Sequence, residues 1–299
     1  MKFTKPFLSF EQQAMLLSER GLIIENDTVH YLQHLNYYRL SGYWIPFQED
    51  NKTHRFKPDV RFSDVLNLYI FDRELRLLLL DAIERIEISI RTQWAHYFAE
   101  LSGPHAHLEP HLSKNDEWHV KNIAQLQKEL ARSDELFIKH YQNTYTFPDE
   151  PPIWVTCEVM SFGLLSKWLK SMKPGEPCNK IARAYELDYD VLVSFIEYLA
   201  YLRNLCAHHS RVWNRKTTKT IKIPRSKPSD LISSFNNEPR SSRKLYNPLV
   251  LVIHLLKIIC PDNHFKNRLI ALMEKHDISS GAMGFPYDWQ RRSVWSVKS

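Results

Sequence analysis

A mainly α-helical fold is what this chain predicts, and three observations carry that expectation. Apolar residues recur at helical spacing from Ser63 to Leu101, a stretch with neither Pro nor Gly. Only 7 of the 299 residues are Gly, too few for the many tight turns of a sheet-rich architecture. The other periodic segments are short and bounded by capping residues or by Pro.

In chain order, residues 9–20 and 26–39 read as short helices, the second started by Asn26 or Asp27 as N-cap. Leu40 to Pro46 breaks the helical pattern and reads as a loop or short extended piece. The polar stretch Asn51 to Pro58 reads as a hairpin or loop. Ser63 can cap a long central helix whose apolar stripe is Leu66, Ile70, Leu77, Ile83, Ile86, Ile90 and Trp94. Ser102 to His119, with Gly103, Pro104 and Pro110, is loop-like; Trp118 to Leu136 resumes a helix. Phe147 to Pro152 is a turn, Trp154 to Met172 a helix and Lys173 to Pro177 a break. A short helix at Ile181 to Tyr185 precedes a longer one, Tyr189 to His209; Pro248 to Cys260 and Asn263 to His276 supply the last two. The Ser/Pro/Arg-rich stretch Arg225 to Arg243 is expected to be mobile. Residues 1–60 are expected as an N-terminal helical and loop subdomain packed on the core, and residues 61–299 as the principal helical domain.

At 43% hydrophobic the chain can bury a large core. No apolar run approaches the roughly 20 residues a bilayer requires, since Asp72, Arg73, Glu74 and Arg76 interrupt the longest candidate. With no signal peptide, and with Cys157, Cys178, Cys206 and Cys260 too dispersed for a paired metal motif, the expectation is a soluble cytoplasmic protein with reduced thiols. Four histidines, His105, His107, His111 and His119, crowd one loop. No nearby Cys or well-spaced carboxylate completes a coordination set, so neither metal nor cofactor is expected.

Net charge is +6 and the isoelectric point about 9.0, but the distribution says more. Between Glu197 and Asp230 there is no acidic residue, while Arg203, Arg211, Arg215, Lys216, Lys219, Lys222, Arg225 and Lys227 all fall there. Such a field neutralises phosphates and makes binding salt-dependent, although a solvated loop would show the same composition. Within it, Arg203-Asn204-Leu-Cys-Ala-His208-His209 closes an otherwise apolar helix. Residues four apart share a helix face, which sets Asn204 beneath His208 with Arg203 beside them. His moves protons near neutral pH and Arg is a permanent cation suited to a transition-state phosphate, so Arg203, Asn204 and His208 are the candidate catalytic residues. His209, Arg211, Arg215, Lys216, Lys219 and Lys222 are the candidate RNA contacts. On the long helix, Arg85 or Arg91 would be a second phosphate clamp or an ordinary ion-pair partner, as with Glu87. Glu158 would orient an Arg or His of the site, or pair in the core.

The arrangement Arg-Asn-(three residues)-His resembles the signature of HEPN ribonucleases. Further blocks widen the likeness: Lys5-Pro-Phe-Leu-Ser-Phe10 with Gln12; Leu35-Asn-Tyr-Tyr-Arg-Leu-Ser-Gly-Tyr-Trp44; Asp81-Ala-Ile-Glu-Arg-Ile-Glu-Ile-Ser-Ile-Arg91; Pro152-Ile-Trp-Val-Thr-Cys-Glu-Val-Met-Ser-Phe-Gly163; and Met283-Gly-Phe-Pro286 with Trp289. In this order they resemble the bacterial abortive-infection proteins of the AbiD/AbiF family over roughly residues 5–290. The resemblance implies a HEPN-like helical bundle with additional N-terminal and C-terminal helical elements. It also implies phage defence by RNA damage, metal independence, pairing of two copies as in HEPN nucleases, and, as in some members, a small non-coding RNA partner, which would either mask the site as an antitoxin does or guide and present the substrate.

Two matters stay open at this level. His209 would be a second proton carrier, an RNA contact or a filler, and the whole basic region would serve equally in a non-catalytic module that grips a structured RNA. Tyr37, Tyr38, Tyr43 and Trp44, interleaved with Arg39, read mostly as core of the N-terminal subdomain, though one exposed ring would suffice to stack a base.

Overall fold

The computed structural model describes residue 2, residues 6–50 and residues 52–296; Lys5 and Asn51, which open two of the sequence stretches named earlier, lie outside the described residues. Among the described residues the protein is mainly α, with isolated bridges but no strand. In order the helices are α1 (Phe10–Glu19), α2 (Thr28–His34), α3 (Tyr37–Trp44), α4 (Phe62–Ser102), α5 (Asp116–Ala131), α6 (Leu136–Thr144) and α7 (Ile153–Val159). They continue with α8 (Phe162–Ser171), α9 (Glu176–Arg183), α10 (Tyr189–Ala207), α11 (Ser229–Ile232), α12 (Tyr246–Ile259) and α13 (Phe265–Lys275). The chain forms two compact units, Met1–Arg76 with Leu269–Ile278, and Leu77–Arg268 with Ser279–Ser299.

In the first unit a reciprocal capping box starts α1: the Gln12 N–H donates to Ser9 Oγ at 3.3 Å and the Ser9 N–H donates to Gln12 Oε1 at 2.8 Å. The expected helix 26–39 divides because Asn36 leaves the helical conformation and caps α3, its Oδ1 accepting from the Tyr38 N–H at 2.8 Å. Residues 40–44, expected to break the helix, therefore continue it, burying Leu40, Tyr43 and Trp44. Tyr43 donates to buried Asp72 at 2.6 Å, and Arg76 closes an ion pair with the same carboxylate. Tyr37 is half-buried edge-on to Trp44, whereas Tyr38 is 68% exposed. Ser63 does not cap α4; its N–H and hydroxyl bind Glu25, and Asp64 accepts from the Arg61 N–H at 2.8 Å.

In the second unit α10 packs chiefly on α8, with α9 and α12 beside it, while α5 packs on α8 and α7. Trp94, Phe162, Trp168, Phe195 and Tyr198 are fully buried there. Truncating such an aromatic to Ala costs about 3–5 kcal/mol, so this core fixes the position of α10.

Several expectations are corrected by the structure. The helix expected over 154–172 is two, because Ser161 turns extended and caps α8, accepting from the Leu164 N–H at 3.3 Å while Glu129 holds its backbone N–H at 2.7 Å. The loop 102–119 contains two single 3-10 turns and yields to α5 at Asp116, capped by Asn115. The break at Lys173–Pro177 ends sooner than expected, since Pro177 sits in the first turn of α9, where no N–H is needed. Helix α6 has no counterpart among the expected elements. Residues 225–243, expected to be mobile, are pinned: Leu231, Ser234, Phe235, Asn236 and Ser241 are buried. Asn236 donates to Ser241 Oγ at 2.8 Å and to the Gly284 carbonyl at 3.0 Å.

Candidate functional site

Helix α10 carries the motif because Val191, Leu192, Phe195, Ile196, Leu199 and Leu202 bury one face while its last turn emerges into solvent. Arg203, Asn204 and His208 are all exposed on that last turn. Arg203 Nη1 donates to Asn204 Oδ1 at 3.4 Å, and the His208 N–H donates to the Asn204 carbonyl at 3.0 Å. His208 is the C-cap residue. The helix then closes in a Schellman motif: the His209 N–H donates to Cys206 O at 3.0 Å and the Ser210 N–H to Leu205 O at 2.9 Å. His209 occupies the left-handed position, with φ +55°, that Gly usually takes. The two imidazoles thus differ in backbone setting, a distinction the sequence alone left open.

A helix C-terminus carries the negative end of the macrodipole, so a phosphate approaching this end must be met by side-chain cations rather than by backbone N–H groups. The following turn supplies them. Buried Val212 and Trp213 anchor it, and Arg215 Nη1 donates to the Arg211 carbonyl at 3.3 Å. Tyr201, two turns before His208 on α10, is partly buried, but hydrogen bonds from Thr218 and Arg215 outweigh that burial and draw its phenol below the ordinary range.

Beyond Thr217 the chain doubles back along α10. The Lys222 N–H donates to Ser194 Oγ at 2.9 Å, Lys222 Nζ pairs with Asp190 at 2.9 Å, and Lys219 Nζ lies 3.7 Å from Glu197. At 1.5 Å per residue, the Ser194 level of the helix is about 20 Å from His208. Of the candidate RNA contacts, Arg211, Arg215 and Lys216 stay at the helix end with His209, whereas Lys219 and Lys222 lie along its flank against carboxylates.

The supporting residues also separate. Arg85 pairs with Asp81 at 3.3 Å and lies beside Cys260. Arg91 instead ties down the end of α7, donating to the carbonyls of Glu158 at 2.8 Å and Met160 at 2.7 Å and pairing with Glu87. Glu158 reaches Arg91 at 3.9 Å through its carboxylate. Arg91, Glu87, Glu158 and Arg203 line an open groove of about 700 Å³ that also holds Arg132, Glu129 and Glu135. Burial pushes the Glu87 carboxyl above its ordinary range, although Arg91 and Arg203 oppose this. With four carboxylates lining it, against three guanidiniums, the groove does not favour a phosphate backbone.

Of the four clustered histidines, His105, His107 and His119 stay near one another, the His105 and His107 rings 6.2 Å apart, while His111 stands apart. His107 is fully buried with both ring nitrogens unpartnered, a ring nitrogen of His119 lies 3.0 Å from the His107 carbonyl, and His111 is exposed beside Glu109. Among the described residues no group of three or more His, Cys, Asp or Glu side chains is arranged to hold a metal ion.

Comparison with known proteins decides the family. The model of a family described as Abi-like protein matches residues 30–214, from within α2 to Asn214 in the turn after α10. The chain belongs to the Abi-like protein family. No curated protein and no solved structure matches it. The family match closes at Asn214, so the Abi-like protein's motif helix and its Schellman turn lie inside the match, while the Met283-Gly-Phe-Pro286 block lies outside it. No helix of the Abi-like protein, among its described residues, is long and apolar enough to cross a membrane.

Proposed function

We propose that this Abi-like protein acts in abortive infection as a phage-defence endoribonuclease of HEPN type, cleaving RNA without a metal. The observation that carries the reading is the grouping of Arg203, Asn204 and His208 on the exposed last turn of α10, continuous with the cations of the following turn. The reaction is intramolecular transesterification: the ribose 2′-oxygen attacks the adjacent phosphorus, the 5′-oxygen leaves, and the products are a 2′,3′-cyclic phosphate and a free 5′-hydroxyl. His208 takes the 2′ proton or gives one to the leaving oxygen, Arg203 bears on the charged phosphorane, and Asn204 holds the imidazole or a phosphate oxygen.

One imidazole does not perform both transfers in a single step. A symmetric pair of chains presenting two motifs to one phosphate supplies the second, and His209 is the alternative carrier within one chain. RNA is thus the substrate, and a small non-coding RNA bound to the same cations would restrain the enzyme.

The test is incubation of the protein, freed of co-purified RNA, with labelled RNA and its DNA counterpart, with and without a chelator. Expected is cleavage of RNA alone, unaffected by chelation and absent from Arg203→Ala and His208→Ala, both of which keep RNA binding. Tight RNA binding by a wild-type protein that cuts nothing would instead establish a binding module.

A further inference from the structure

The Met283-Gly-Phe-Pro286 turn is one of the sequence blocks that the nuclease chemistry leaves unused, and the side chain it packs against is a lysine at the edge of the basic turn. A Cβ on Gly284 would lie 2.5 Å from Lys244 Cβ and 3.2 Å from its Cγ, and Gly284 has φ +88°, so only glycine accommodates the lysine stem at this point. The backbone before that stem is fixed too, because the Arg243 carbonyl accepts from the Thr217 N–H at 3.0 Å and from Thr217 Oγ1 at 3.1 Å. The ammonium donates to Asn214 Oδ1 at 2.5 Å and to the Ala282 carbonyl at 3.1 Å. Asn214 holds its own place in the left-handed region at φ +50°, a conformation Asn tolerates better than most residues.

The scaffold around Lys244 is therefore neutral: an amide oxygen, a carbonyl and a glycine. No carboxylate lies within ion-pairing distance of it among the described residues, unlike Lys180, Lys219, Lys222 and Lys275, each of which has one. Arg211 and Lys216 are close enough that, after burial itself, their charges are what push the Lys244 ammonium below the usual lysine range. Like charges brought close repel one another, and an anion relieves that repulsion. An ammonium has three N–H donors, and Asn214 and Ala282 occupy two of them.

We propose that Lys244, with Arg211 and Lys216, forms a phosphate subsite for the RNA backbone beside the His208 turn, held in register by Gly284 and Asn214. The proposal rests on the reading that RNA binds at this end of α10. It extends the RNA path from the motif helix, capped by His208, to Lys244 in the segment entering α12, 36 residues further along the chain.

The test uses the full chain and a short labelled oligoribonucleotide carrying 2′-O-methyl riboses, which cannot be cleaved by transesterification, titrated over a series of salt concentrations. Lys244→Gln keeps hydrogen-bond donors for Asn214 and Ala282 but removes the charge; Lys180→Gln, whose ammonium is paired with Glu100, is the control. Expected for Lys244→Gln is affinity about tenfold weaker at low salt, with the slope of log affinity against log salt smaller by about 0.7, one phosphate contact on a single strand. Lys244→Arg should restore both, and thermal unfolding midpoints identify any variant that loses its fold. Wild-type binding with an unchanged affinity and slope in a folded Lys244→Gln overturns the subsite while leaving the nuclease reading intact. Failure of the wild type to bind RNA at all, or a larger effect of Lys244→Gln on an acidic peptide than on RNA, overturns the RNA assignment itself.

Discussion

Residues 203–216 and 217–222 belong to one acid-free run, yet their charges have different fates. In the first part Arg211, Arg215 and Lys216 follow directly on the exposed end of α10, and Lys244 from a distant segment comes near Arg211 and Lys216. In the second part Lys219 and Lys222 return along the helix flank to Glu197 and Asp190. Both parts are basic and free of acidic residues. What differs is where the chain turns, and that is set by the Schellman closure at His209 and by buried Val212 and Trp213. Net charge over a window is thus a poor guide to local potential once the chain doubles back on a helix with carboxylates along it.

The largest effect expected from this contrast is on chemistry. His208→Ala and Arg203→Ala should each slow single-turnover RNA cleavage by about 10²- to 10⁴-fold with RNA binding kept, whereas Lys222→Ala should leave the rate within a small factor. A comparable loss at Lys222 would erase the division between the two parts of the run. Next in size is the electrolyte dependence of binding. Replacing Arg211, Arg215 and Lys216 together by Gln should lower the salt slope by about 2, while the double change at Lys219 and Lys222 should hardly move it, since carboxylates already neutralise those two charges.

A third expectation concerns the buried imidazole of His107. Burial first, then His105 and His119, hold the His107 pKa down at about 3 against an ordinary 6.5. The unfolded chain therefore binds a proton that the folded chain refuses. Stability should be complete above pH 6.5 and fall as pH drops from 6.5 toward 3, by at most about 1.4 kcal/mol per pH unit from this residue. Urea unfolding at a series of pH values checks it, and His107→Phe should flatten that part of the profile. The smallest effect belongs to His209→Gly. Relief of a left-handed non-glycine residue should raise stability by up to about 1 kcal/mol in thermal unfolding, and retained cleavage in that variant would exclude His209 as the second proton carrier.

Long uninterrupted periodicity made α4 and α10 legible in the sequence, along with the exposed end of α10 where the motif sits. Shorter helices were hidden by local rules that cut both ways. Asn36 and Ser161 are caps that divide what looks like one periodic stretch, and Pro177 marks a helix start where it reads as a break. Residues 225–243 look mobile by composition but are held by an Asn236 to Asn247 network that pairs residues 11 apart, with Gly284 as a partner 48 residues away. For the candidate site, the cations could be read from the chain but not their partners, because Glu197 and Asp190 lie at or before the edge of the acid-free window. Lys244 left no signal near the motif. Its tie to the turn depends on Gly284, whose need to be glycine emerges only when the lysine stem is packed against it.

The most direct test of the central claim is the chemistry of the cut ends. RNA cleaved by the wild-type chain should carry 2′,3′-cyclic phosphate and 5′-hydroxyl termini, and a single 2′-deoxy substitution at the cleaved position should abolish that cut. Ends bearing 5′-phosphate, or cleavage that persists at the 2′-deoxy position, would mean that water rather than the ribose oxygen is the nucleophile, and would contradict the roles of His208 as proton carrier and Arg203 as phosphorane stabiliser in transesterification.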